Sequence, residues 1–264
     1  MNSIIILSLL VVLMLTGMPV SISLGLTVLS FLFFMTEVPI ESVALKLFTG
    51  IEKFEIMAIP FFILAGNFLT HGGVARRMIQ FATAMVGHWY GGLGLGGVLA
   101  CALFAAVSGS SPATVVAIGS ILMPAMVKAG FPKSFGAGVI TTSGALGILI
   151  PPSIVMVMYS VSTNTSVGAL FMAGVVPGLL LAFLLGLTTW YRAKKFDYPR
   201  QPKASWGQRW VAFRKAIWGL LLIVVVMGGI YTGIFTPTEA AAMSAVYAFV
   251  VAVFVYKDMG LKDV

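Results

Sequence analysis

Four stretches of this chain contain no Asp, Glu, Lys or Arg: Met1 to Thr36, Met78 to Val127, Ser134 to Tyr191 and Ala216 to Thr238. No other feature constrains the fold as strongly, because a helix needs about 20 apolar residues to cross a bilayer core of about 30 Å. The two longest stretches each have room for two crossings. Composition agrees, with 59% of residues hydrophobic, 9% charged and a mean hydropathy of +1.06, where a soluble domain carries about 25% charged residues. The runs are apolar on every face, as lipid-embedded helices are, and lack the alternation over roughly ten-residue strands of a membrane β-barrel. The sequence describes an all-α, polytopic membrane protein and excludes a water-soluble globular fold.

The formal net charge is +8, from 16 Lys and Arg against 8 Asp and Glu. These basic residues sit in the gaps between apolar runs, so topology accounts for them and nucleic acid is not expected as a partner. Eight of the 16 lie from Arg192 to Lys215, opposed only by Asp197, which marks residues 192–215 as a cytoplasmic loop by the positive-inside rule. Cys101, inside an apolar run, is expected to be packing, with no disulfide or Cys-based metal site. Met1-Asn2-Ser3 has no basic region ahead of the first apolar run, so a cleaved signal peptide is not expected.

Residues 1–70 are read as N-terminal transmembrane helices. The run from Ile4 to Phe34 would be about 46 Å long as one helix, so a turn at Gly17-Met18-Pro19 is expected to split it. Glu37, Glu41, Glu52 and Glu55, with Lys46 and Lys53, form an external loop before Ile56 to Leu69. Residues 71–91 hold an interfacial arm helix on the cytoplasmic side, with Arg76 and Arg77 at its start and Val74, Met78, Phe81 and Met85 at helical spacing.

Within residues 92–163, the apolar segment from Gly92 to Val127 is interrupted at Ser108-Gly109-Ser110-Ser111-Pro112 and is basic on both flanks. If both flanks are cytoplasmic, it enters and returns as a re-entrant helical hairpin whose limbs, at about 24 Å each, fall short of a crossing. A second helix from Phe135 is broken by Pro151-Pro152 and runs on to Asn164-Thr165. Residues 164–191 return to the basic loop. Residues 216–264 form a helix pair around Thr236-Pro237-Thr238-Glu239, ending near Lys257 and Lys262. Trp206, Trp210 and Trp218 are expected to be interfacial anchors.

Irregular backbone at membrane depth survives only where protein covers it or where it lines a cavity, because an unpaired backbone group in lipid costs several kcal/mol. The two breaks are therefore the candidate site. Ser110 or Ser111 can cap the second hairpin limb, with Pro112 at its first helical position, and Pro151-Pro152 opens the other half-helix in the same way. Two helix N-termini then point partial positive charge into the membrane, with Ser111, Thr114 and Ser153 placed to hold an anionic substrate group. The opposing carbonyls, with Ser and Thr hydroxyls, suit a hard monovalent cation. No carboxylate lies between Glu55 and Asp197, so sodium coupling is expected in place of an intramembrane proton relay. With two histidines, His71 and His88, and no HExxH, an enzyme is not expected; no cofactor is expected beyond the coupling ion.

At Ala58-Ile59-Pro60-Phe61-Phe62-Ile63-Leu64-Ala65-Gly66, Gly72-Gly73-Val74-Ala75-Arg76-Arg77, Val86-Gly87-His88 with Gly91-Gly92-Leu93, and Ser108-Gly109-Ser110-Ser111-Pro112-Ala113-Thr114, the chain resembles the large membrane subunit of TRAP (tripartite ATP-independent periplasmic) transporters. Gly147-Ile148-Leu149-Ile150-Pro151-Pro152-Ser153 and Phe235-Thr236-Pro237-Thr238-Glu239-Ala240-Ala241 are similar to further stretches of that family. At Trp89-Tyr90 the chain departs from it, where the family often has an arginine before the paired glycines.

The resemblance implies one half of an inverted-repeat, elevator-type transporter in the bacterial inner membrane, continued elsewhere by a second half with its own hairpin and broken helix. It implies sodium-coupled import of an organic acid, C4-dicarboxylate-like or sugar-acid-like. The implied partners are a small membrane subunit, a periplasmic substrate-binding protein and membrane lipid. Carried over by motif, Ser108, Gly109, Ser110 and Ser111 form a sodium site faced by Gly144, Gly147, Ile150 and Pro151. Two other readings are a non-transporting membrane scaffold or assembly partner, and a half-size transporter pairing with an inverted copy of itself. The lopsided basic loops speak against the second.

Overall fold

The computed structural model describes residues 2–36, 39, 45, 48–50 and 52–260. Glu37, Glu41 and Lys46 of the expected acidic loop, and Lys262, lie outside the described residues. Among the described residues the regular elements are all helical, and two compact units divide between Lys53 and Phe54. The segment read as residues 1–70 is thus shared between both units.

In the first unit, α1 (Asn2–Leu15) and α2 (Val20–Met35) form a hairpin. The turn falls at Gly17-Met18-Pro19, where Gly17 takes φ +81, a left-handed conformation that costs a glycine little. Thr27, buried on α2, donates its hydroxyl to the Ser23 carbonyl at 2.7 Å, so an apolar helix carries it without an unpaired donor.

The second unit begins with a 3-10 turn, Phe54–Met57, leading into α3 (Ala58–His71) and α4 (Val74–Val86). Then come α5 (Gly92–Ser108) and α6 (Ser111–Lys128), the short pieces α7 (Lys133–Gly144), α8 (Leu146–Leu149) and α9 (Ile154–Thr163), and the long helices α10 (Val167–Lys195) and α11 (Trp206–Tyr231). A capping box between Thr236 and Glu239 starts α12 (Pro237–Val250), which widens into a π-helical turn at Val251–Val255. Among the described residues, five helical segments can cross a membrane by length and composition: Phe54–His71, α6, α10, α11 and Pro237–Val255; α7 to α9 make a sixth if counted as one span bent by 42°.

α5 and α6 are antiparallel. A Cβ placed on Gly97 would lie 2.4 Å from Leu122 Cδ2, and these two residues stand at equal distances from the tip at Gly109 and Ser110. The return limb is longer than expected: with 18 residues it is long enough to cross, so antiparallel pairing, not limb length, puts both ends of the hairpin on one side. The arm helix α4 buries Val74, Ala75, Met78, Ile79 and Ala82, while Met85 is exposed and Phe81 is half-buried with its ring 5.8 Å from Phe213. Its apolar face is covered by protein: Gly96 of α5 sits against Thr83, and Gly219 of α11 against Val74 and Met78.

The segment read as a basic loop over residues 192–215 is mostly helix. Arg192, Lys194 and Lys195 close α10, and Arg209, Arg214 and Lys215 lie in α11, which a Ser205–Gln208 capping box starts. A 29-residue helix is about 44 Å long, so the last turns of α10 reach beyond the hydrocarbon, where their cations also complement the helix dipole. Charge pattern marks the side of the membrane and says little about backbone conformation.

Contacts between distant residues join all these basic ends on one face. Asp258, after α12, pairs with Arg76 at 3.1 Å and with Arg77 at the start of α4. The Arg77 guanidinium also stacks 3.8 Å over the Tyr256 ring, whose hydroxyl donates to the Lys215 carbonyl at 2.6 Å. Burial pushes the Tyr256 phenol above its ordinary value, so it stays a neutral donor. The Gln201 amide bonds the Gly87 carbonyl at 3.0 Å, and Phe131, after the hairpin, packs 5.6 Å from Tyr198. At the opposite ends, Thr238 donates to the Phe54 carbonyl at 3.3 Å. Single cysteines at Lys128 and Ile234, both exposed, in a Cys101→Ala background should therefore label from opposite sides of the membrane with an impermeant thiol reagent, Lys128→Cys from the cytoplasm.

Candidate functional site

The hairpin tip is set by three consecutive backbone choices. α5 stops because Gly109 turns left-handed at φ +61, its amide bonding the Ala105 carbonyl at 3.0 Å. Ser110 is extended and N-caps α6, accepting from the Ala113 amide at 3.4 Å. Ser111 and Pro112 take the first two helical positions, where a missing amide costs nothing. Thr114 donates to the Ser110 carbonyl at 2.8 Å, and its oxygen lies 3.0 Å from that of Ser108. Ser108 and Thr114 are fully buried.

The second break differs from expectation in one respect. The prolines do not open the next half-helix; Ser153, extended at φ −131, is its N-cap, and α9 begins at Ile154. A residue before proline is held out of the α region, so Pro151 cannot be helical, and the extended Ser153 delays the start further. The Pro151-Pro152 peptide is cis. On the near side, α8 ends with the Ile150 amide bonded to the Leu146 carbonyl at 2.8 Å.

These two breaks meet. The Ile154 amide, an orphan donor at the start of α9, bonds the Gly109 carbonyl at the hairpin tip at 3.0 Å, so each break satisfies a group the other leaves open. A Cβ on Gly147 would lie 2.8 Å from the Ser111 amide nitrogen and 2.9 Å from the Ser110 carbonyl carbon. One on Gly144 would strike Val115 and come 3.6 Å from the Ser111 carbonyl oxygen; one on Gly109 would lie 2.9 Å from the Pro152 carbonyl oxygen. Of the residues expected at the site, Ser108, Gly109, Ser110, Ser111, Thr114, Gly144 and Gly147 are brought together here. Ile150 faces elsewhere, its backbone and side chain lying against Gly178 of α10. Pro151 is buried within the break.

Three residues at this junction were not among the expected site residues. Gly66 of α3 brings its backbone against Ser108, where a Cβ would lie 3.4 Å from the Ser108 carbonyl; a small residue at a helix crossing was the only clue. Pro152, not Pro151, supplies the carbonyl that faces Gly109. Ser143, beside Gly144, is fully buried, and its hydroxyl, like that of buried Ser153, has no hydrogen-bond partner among the described residues. A buried hydroxyl left unpaired costs roughly 1–3 kcal/mol, so both oxygens are suited to a ligand. Neutral hydroxyls, carbonyls and helix-terminal amides supply the polar atoms of the region.

The profile of the family described as tripartite ATP-independent periplasmic transporter, DctM component, matches residues 7–264. The chain belongs to this family. Over its whole length it is 76% identical to the C4-dicarboxylate TRAP transporter large permease protein of Rhodobacter capsulatus, 63% of which it covers. Over 94% of its length it is 54% identical to the Vibrio cholerae protein of the same name, covering 55% of that protein. Over 92% of its length it is 39% identical to the 2,3-diketo-L-gulonate TRAP transporter large permease protein of Escherichia coli, covering 57% of that relative. The chain thus spans less than two thirds of the length of these relatives. Membership makes it a transporter component and not an enzyme, a multi-pass protein of the bacterial inner membrane.

The contact between the breaks rests on Gly147. Gly147→Val in the complete polypeptide should lose about 1–3 kcal/mol of stability by overpacking against backbone that cannot yield, seen as a lower thermal midpoint in detergent. Gly186→Ala on α10, where a Cβ meets nothing within 4 Å, should leave the midpoint unchanged or raise it.

Proposed function

We propose that this chain is the part of a TRAP permease that binds the coupling sodium ion and one end of an organic acid substrate of the C4-dicarboxylate class. The substrate class is supported by the 76% identity to a permease named for C4-dicarboxylate. The complete transporter works with a small membrane subunit and a periplasmic substrate-binding protein, and moves its substrate by an elevator-type displacement of the hairpin and broken helix.

The observation that carries this reading is the junction at Gly109 and Ile154. It places two interrupted helices against each other in a region without carboxylates, with the Ser153 hydroxyl buried beside it and unpartnered among the described residues. Hydroxyl and carbonyl oxygens around Ser108 to Ser111, faced by Gly144 and Gly147 and with Ile150 and Pro151 framing the break, are the donors for sodium. The helix N-termini at the two breaks, with Ser111, Thr114 and Ser153, favour the substrate anion through their partial positive charge.

The test is uptake by the complete transporter reconstituted with its partners. Ser110→Leu or Ser153→Val should raise the sodium concentration needed for half-maximal uptake about tenfold or more, the scale of one or two lost polar contacts, with the protein still folded. Wild-type sodium dependence in these variants, or uptake driven by a proton gradient without sodium, would show the assignment to be wrong.

A further inference from the structure

At the basic end of the fold, a cavity of about 460 Å³ opens between α7 and the last turns of α10. Its polar wall carries Ser134 and Thr142 from α7, Thr188 and Arg192 from α10, and Tyr198 from the following coil. Phe135, Val139 and Leu185 form its apolar wall. The guanidinium of Arg192 lies 5.6 Å from the Phe196 ring and forms no ion pair among the described residues. Pro132, at the N-cap of α7, provides no side-chain cap, so the first amides of that helix add positive potential to the same opening. Lys133, Lys194 and Lys195 flank it in sequence, and Asp197 is the one acidic residue nearby in the chain.

We infer that this cavity holds the headgroup phosphate of an anionic phospholipid from the cytoplasmic leaflet, a site independent of the sodium and substrate reading. Thr142 and Thr188 donate their hydroxyls to carbonyls of their own helices, which leaves the Arg192 guanidinium, the Ser134 and Tyr198 hydroxyls and the α7 N-terminus, a set of donors that together recognise an oxyanion. A lipid is the source because the cavity lies where helices emerge from the membrane on the positively charged face, and because a single water takes up about 30 Å³ of liquid, so this volume is far larger than a bare phosphate needs. Anionic lipid of the cytoplasmic leaflet is attracted to basic surfaces of this kind.

Gly138 makes the site testable without disturbing the charge. It lines the cavity, and a Cβ there meets nothing within 4 Å, so Gly138→Leu fills the space at little cost to folding. The native polypeptide carrying this sequence would be purified, exchanged into nanodiscs of phosphatidylcholine with a minor fraction of phosphatidylglycerol, and examined by native mass spectrometry for retained lipid. Wild type should retain phosphatidylglycerol. Arg192→Gln and Gly138→Leu should each cut that retention on the order of tenfold, as expected for loss of a charge-assisted contact, and Arg192→Lys should cut it less, since a point charge keeps the attraction without the bidentate geometry. Retention unchanged in both Arg192→Gln and Gly138→Leu would overturn the proposal. So would loss of the lipid on adding millimolar inorganic phosphate or succinate, which would make the cavity a small-anion site. Absence of retained phosphatidylglycerol in wild type would overturn it as well.

Discussion

A backbone amide or carbonyl without a partner in hydrocarbon costs several kcal/mol, and two helical runs of this chain stop inside a nearly charge-free region. They can do so because they stop against each other. The Gly109 carbonyl ends one break and the Ile154 amide begins the other, and the bond between them is 3.0 Å long. Glycines at 109 and 147 let the two backbones approach to distances that a side chain would forbid, and Gly144 leaves room for Val115 beside them. What remains open at the junction is a small set of hydroxyls, carbonyls and helix-terminal amides, without formal charge.

The protein uses different interactions at different depths. Between helices in lipid there is little hydrophobic gain in association, and small residues serve by bringing backbones close: Gly66 on Ser108, Gly97 on Leu122, Gly174 and Gly178 on Leu149 and Ile150. On the basic face, charge and aromatic rings take over. Asp258 holds two arginines of the arm helix, Arg77 stacks on Tyr256, and Tyr198 packs on Phe131 and Phe135. This face ties the arm helix, the open end of the hairpin and the ends of the long helices together, while the site at depth is bounded by helix termini.

Much of this was legible in the sequence, and the reasons differ from element to element. The hairpin could be read because Ser108 to Pro112 interrupts an apolar run whose two flanks are basic, a statement about both geometry and sidedness. The broken helix could be read from Pro151-Pro152, but not its restart at Ile154, which depends on Ser153 staying extended. The basic segment could be assigned a side but not a conformation, since lysine and arginine at helix ends and in loops obey the same rule of orientation. The spacing of Val74, Met78, Phe81 and Met85 marks the arm helix as amphipathic, but that Ala75, Ile79 and Ala82 join Val74 and Met78 on its buried face depends on which helices pack against it. The pairing of Asp258 with Arg76 and Arg77, and of Gly66 with Ser108, joins residues too far apart in the chain for any local pattern to mark. Ser153 is marked by the sequence and Ser143 is not, and that both buried hydroxyls lack partners among the described residues is visible only in three-dimensional packing.

Hydrogen–deuterium exchange of the complete polypeptide in lipid nanodiscs, with sodium or with choline at equal ionic strength, tests most directly whether the two breaks act as one ion site. Exchange at residues 108–114 and 150–156 should slow together as sodium is raised, with the same midpoint in both segments, and should not respond to choline. Protection of one segment without the other, or an equal response to both cations, would contradict a shared sodium site at the junction of the hairpin and the broken helix.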